Sequence, residues 1–168
     1  YELSKENKEL IPKTIKHIFI ISDRRERIET LRKIAKAVNS DKTMIFINTK
    51  YDLEESLQKL QYHNYNVAAL AGNIDKQSKK KAVEDFQNGR LQYLLATDVA
   101  ARGLQIDHVS TVINVNLPEE PTEYLHRAGR CGRNNEQGLC ISIITENELN
   151  KIKKYLLILL LIIGLESP

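Results

Sequence analysis

The chain has 168 residues, 42% of them hydrophobic and 28% charged, and a net charge of +3. That balance describes one soluble globular domain with a single core and excludes a disordered chain; any anionic partner must be met by a local patch, not by bulk charge. The two cysteines and four histidines show no CxxC pair and no ligand spacing, which points to reduced thiols in a cytoplasmic protein and to no metal site.

In chain order, residues 1–14 are polar, contain Pro12 and carry no signal-peptide pattern. They read as a linker from an upstream domain, leaving 15–168 as the folded unit. "HIFII" (17–21) predicts a buried strand, and Ile28, Leu31, Ile34, Ala35 and Val38 mark one face of a helix. "TMIFI" (43–47) is a second strand. In "NTKYD", Thr49 with Asp52 three residues on matches a capping box, although a hydroxyl and amides at a helix start also suit a phosphate oxygen. Leu53, Leu57 and Leu60 mark the next helix, followed by the strand "NVAAL" (66–70).

After that strand, Lys76, Lys79, Lys80 and Lys81 crowd the start of a helix whose apolar face is Ala82, Val83 and Phe86. Cations there oppose the helix dipole. The ordinary reading is a solvated face; the alternative is contact with a nucleic-acid backbone. "YLLAT" (93–97) leads into "DVAARGLQI", where Asp98 is placed to cap a short helix and Gly103 to end it with positive φ. "TVINV" (111–115) and "LCISII" (139–144) complete the strands. Strands apolar on both faces, alternating with amphipathic helices, predict an α/β fold: a mainly parallel sheet with helices on both faces, its ligand sites at the carboxyl ends of the strands. The final run "LLILLLII" (156–163) is too short for a membrane span and is expected to be a buried terminal helix or strand.

"HRAGRCGR" (126–133) stands apart. Arg127, Arg130 and Arg133 recur every third residue, with Gly129 and Gly132 between them, and each glycine costs a helix about 1 kcal/mol. Arginine's planar fork suits bidentate contact with phosphate, and glycines let the backbone turn and approach its neighbours. A solvent-facing basic helix end would give no reason for the glycines; a phosphate-facing cleft accounts for both.

"HRAGRCGR", with "ATDVAARGLQI" upstream and "MIFINT" before it, resembles the C-terminal half of a DEAD-box RNA helicase over residues 15–155 or so. The resemblance implies a three-layer RecA-like domain, the second of two that clamp ATP and RNA between them. By the same resemblance, Arg130 and Arg133 reach the ATP γ-phosphate across the cleft. His126 couples the two domains, and Arg102 and Arg127 belong to the interdomain contact. Thr49, Gly72, Lys76, Lys79, Thr97 and Gly103 fall where the family contacts RNA.

Two features depart from the family pattern. Gln105 replaces the aspartate that bonds the ATP ribose, leaving an uncharged amide, and Lys76 and Lys79 replace a Q-x-x-R pair. None of the seven glycines is followed by lysine, and no D-E-x-D stretch is present, so ATP and Mg²⁺ are expected to be held mainly by an N-terminal RecA-like domain. The competing readings are a DNA-acting relative of the same superfamily, which usually begins the arginine motif with glutamine where His126 stands here, and a non-catalytic nucleic-acid-binding module. No membrane partner is expected.

Overall fold

The structure is a computed structural model describing residues 15–163 apart from 72, 107 and 133–135. The expected linker 1–14, Gly72 and Arg133 therefore lie outside the described residues. Six parallel strands form one sheet: β1 (Ile15–Ile21), β2 (Thr43–Phe46), β3 (Val67–Leu70), β4 (Tyr93–Ala96), β5 (Thr111–Asn114) and β6 (Gly138–Ile144). Their order is β1-β6-β5-β2-β4-β3. Helices α1 (Arg27–Val38), α2 (Lys50–Tyr62), α3 (Lys76–Gln87), α4 (Asp98–Ala101), α5 (Pro121–Ala128) and α6 (Leu149–Ile163) join or follow them.

The order explains the layers. α1 and α2 follow connections that run toward the β3 edge, whereas α3, α4 and α5 follow connections that run back. Right-handed crossovers then place the two groups on opposite faces. The cores agree with this: Leu31, Ile34, Ile45, Leu53, Leu60, Leu95 and Ile113 cluster on one side, and Met44, Phe46, Phe86, Leu94, Val112 and Leu125 on the other. Successive residues of β2 alternate between the two cores while all are buried, as a parallel strand covered on both faces requires. Each such side chain contributes about 1.5–3 kcal/mol of burial.

Local chemistry sets the element ends. Asn39 closes α1 in the left-handed region (φ 45°), its N–H donating to Ala35. Asp75 caps α3 by accepting from the Ser78 amide (2.9 Å) and hydroxyl (2.7 Å), which offsets part of the cost of the lysines at that end. α6 is helical, but it is not buried all round. Ile152 and Tyr155 pack on the core, while Leu157 and Leu161 are exposed. Among the described residues no helix is long and apolar enough to cross a membrane.

Candidate functional site

The three arginines of the motif are not equivalent. α5 carries Arg127 on its inner face, where the side chain is 1% exposed and makes five hydrogen bonds. Nε and Nη2 donate in a fork to the Asp98 carboxylate (2.7 and 2.6 Å). Nη2 also donates to Asn48 Oδ1 (2.7 Å), and Nη1 to Asn114 Oδ1 (3.3 Å) and the Asn116 carbonyl (2.9 Å). The guanidinium lies 5.2 Å from the Phe46 ring centre. A buried charge is tolerated only when paired and fully hydrogen-bonded, and here all its donor nitrogens are used. The Arg127 fork is thus committed inside this domain, although the residue also lines the cleft beside α4.

Asp98 is reassigned with it. The cap of α4 is Thr97, whose hydroxyl accepts from the Ala100 amide (3.2 Å), leaving the Asp98 carboxylate for Arg127. Thr49 caps α2 by accepting from the Asp52 amide (3.2 Å) and donates its hydroxyl to Asp52 Oδ2 (2.8 Å). Both threonines stand at carboxyl ends of neighbouring strands, β2 and β4. Gly103 ends the α4 turn with φ +78° and open space where a Cβ would stand.

Past α5 the chain turns out of helical register. The Arg130 carbonyl accepts from Val109, just before β5, so this arginine arises beside the amino edge of the sheet and not at the strand ends. Its guanidinium reaches the Ala101 and Leu104 carbonyls at the end of α4 (3.2 and 2.6 Å). There it lines a cleft of about 210 Å³ together with Asp98, Arg102, Gly103, Glu123 and His126. Arg102 and His126 are exposed and flank the Glu123 carboxylate, at 3.3 and 4.0 Å. Gly138, at the start of β6, explains another glycine: a Cβ there would stand 2.7 Å from the Gly132 amide nitrogen, so the strand and the arginine turn meet backbone to backbone.

Lys76 is exposed and Lys79 half-buried at the start of α3, after the edge strand β3. Gln105 is exposed, and its backbone carbonyl accepts from Gln87 (2.9 Å). Burial pushes the thiols of Cys131 and Cys140 up, to about 12 and about 11, so both are packing residues. Sequence reasoning missed Asn48, Asn114, Asn116 and Glu123. The available signal was an asparagine inside an otherwise apolar strand, "VIN", which has to satisfy its amide in the core.

Residues 26–135 match the helicase conserved C-terminal domain. The DEAD-box ATP-dependent RNA helicase CshC of Bacillus cereus is 36% identical over 141 residues, 84% of this chain and 36% of the relative. The probable ATP-dependent RNA helicase YfmL of Bacillus subtilis is 34% identical over 140 residues, 83% of this chain and 37% of the relative. The chain thus spans about a third of the length of these curated relatives. Among solved structures, the C-terminal domain of the DEAD-box protein Dbp5 superposes with a TM-score of 0.78 at 30% identity, covering 85% of this chain and 86% of that one. Dbp5 of S. cerevisiae bound to RNA and ADP BeF3 superposes with a TM-score of 0.81 at 27% identity, covering 97% of this chain and 42% of that one. With the six-stranded parallel sheet and the arginine turn against α4, these matches place the chain in the helicase conserved C-terminal domain family, as a RecA-like domain of the DEAD-box type.

Proposed function

We propose that this chain is the second motor domain of an ATP-dependent RNA helicase, and that it works against an N-terminal RecA-like domain holding ATP and Mg²⁺. The observation that carries the reading is the position of Arg127. One buried guanidinium binds Asn48, next to Thr49, and Asp98, next to Thr97, and it belongs to the helix that carries His126 and leads to Arg130. The surface proposed to hold the RNA backbone and the arginines proposed to face the nucleotide are therefore parts of one braced unit.

In this reading Thr49, Gly72, Lys76, Lys79, Thr97 and Gly103 contact phosphates of single-stranded RNA, without reading its sequence. Arg130 and Arg133 supply positive charge to the phosphoryl oxygens of an ATP held by the other domain. Arg102 and His126, exposed at the rim of the same cleft, meet that domain on closure. RNA bound across both domains favours closure, which is how RNA would stimulate hydrolysis. Gln105 stands where a ribose hydroxyl would be met, and its amide can donate or accept there without adding charge. The relatives' names and the RNA-bound Dbp5 structure support the substrate class.

The test is RNA-stimulated phosphate release by the whole helicase. An arginine placed on the transferring phosphoryl group is worth roughly 10³–10⁵ in rate. Arg130→Lys keeps the charge and loses the fork, so it is expected to lower kcat at least about tenfold, and Arg133→Lys likewise, with RNA affinity in the absence of nucleotide nearly constant. A variant that loses RNA binding and keeps its ATPase would place these arginines on the nucleic acid instead.

A further inference from the structure

Past Thr49 the carboxyl edge opens into a second groove, of about 590 Å³, on the α1–α2 side of the sheet. Arg24, Arg25, Arg27, Asn48, Thr49 and Asn116 are among the residues that line it. The N-terminus of α2 opens here beside Thr49, and Arg24 and Arg25 sit in a single 3-10 turn that runs straight into α1. Arg24 and Arg25 are exposed, and neither side chain has a hydrogen bond or ion pair among the described residues. Arg27, deeper in, has a 3.6 Å contact with Glu148, and its buried Nε–H finds no acceptor among the described residues.

Four carboxylates share the groove, but three are engaged. Asp52 takes the Thr49 hydroxyl, Glu119 pairs with Lys151 at 3.3 Å, and Glu148 holds the Thr145 amide and Arg27. Of the four, only Glu55 has no partner among the described residues. An open groove of this volume, lined by three arginines and continuous with Thr49, fits a phosphodiester strand better than a small compact anion.

We infer that RNA leaving Thr49 continues along this groove, with Arg24 and Arg25 each holding one further phosphate; this rests on the RNA-binding reading above. Neither arginine belongs to the motifs that carry the family resemblance. Because the rim charges are solvent-exposed, the contribution is electrostatic and blind to sequence.

The experiment is fluorescence anisotropy of this chain with a labelled oligouridylate and with one twice as long, titrated at several low salt concentrations. For the longer RNA, Arg24→Ala with Arg25→Ala is expected to reduce the slope of log K against log salt by about 1.4, since each phosphate contact on a single strand contributes about 0.7. The shorter RNA, filled by the Thr49 side, is expected to keep its slope, and Arg24→Lys with Arg25→Lys is expected to keep both. An unchanged slope on the longer RNA overturns the inference while leaving the proposed function standing. Equal loss on both lengths overturns it too, because that is a general field effect. An acidic peptide that binds wild type but not the double alanine variant, with the RNA slopes unchanged, assigns the groove to a protein partner and overturns it as well. No RNA binding by wild type at any salt sinks both readings.

Discussion

At the scale of single residues, the site depends on how many acceptors one guanidinium can serve. Arg127 serves four residues, and Asp98, its ionic partner, is itself 24% exposed. Lysine would keep the charge but offer three donors from one atom, so at least one of Asp98, Asn48, Asn114 and Asn116 would lose a partner. Each buried group left unpaired costs about 1–3 kcal/mol, and water can repair part of the loss at Asp98. Arg127→Lys is therefore expected to destabilise the domain by about 2–4 kcal/mol, read from urea unfolding midpoints. A loss under about 0.5 kcal/mol would mean that the network adds no more than a surface ion pair does. The sequence could not separate this arginine from Arg130, because three-residue spacing places them on adjoining parts of one surface only while the helix lasts. α5 stops at Ala128, so Arg127 follows the helix inward and Arg130 follows the turn outward. Asp98 was misjudged for a related reason: threonine and aspartate are both good caps, and only the tertiary demand of Arg127 decides between Thr97 and Asp98.

At the scale of elements, the strands were legible because burial on both faces writes continuous apolar runs, and the helices because one face repeats every three to four residues. Less legible is what fastens the two helices of one layer to each other. Glu29 of α1 accepts from Arg32 on its own helix (2.5 Å) and pairs with Lys59 of α2 (2.9 Å). Hydrogen bonds from Arg32 first and Lys59 second lower its carboxyl from 4.5 to about 2. A carboxylate whose folded value is depressed contributes stability above its unfolded value and loses it as pH falls through the folded one. The α1–α2 layer is thus expected to weaken as pH drops from about 4.5 to about 2. Glu29→Gln, which has no charge to lose, is expected to flatten that part of the curve of unfolding midpoint against pH. Parallel curves for the two proteins would mean the strap contributes nothing to acid sensitivity. The charge pattern alone could not reveal this contact, since Glu29 and Lys59 are thirty residues apart and meet only because both helices follow connections that run the same way.

At the scale of the whole molecule, strand order determines where chemistry can assemble. The connection after β2 goes to the α2 face, while those after its neighbours β4 and β5 go to the opposite face. β2 is therefore where the chain's direction reverses, and open α/β sheets form their ligand crevices at such points. Here Arg127 fills the crevice: it binds Asn48 after β2, Asp98 after β4 and Asn116 after β5, and so turns a ligand position into a brace. What remains accessible is the rim, with threonines at the strand ends and Arg130 in the cleft beside α4. Such an arrangement can stabilise charge on a phosphoryl group brought to it, but it offers little with which to capture a free nucleotide. Among the described residues no three His, Cys, Asp or Glu side chains gather as a metal site would need, and no glycine in the chain precedes a lysine to build a phosphate loop. The chain alone is accordingly expected to hydrolyse no ATP, with or without RNA, and to bind nucleotide weakly, as read by phosphate release and by calorimetric titration. Adding a separately prepared N-terminal RecA-like half at high concentration is expected to restore some RNA-stimulated turnover, and Arg130→Lys in this chain to remove most of it. Robust hydrolysis by the chain alone would mean that it holds and activates the nucleotide itself, and the division of labour argued from Arg130 would be wrong.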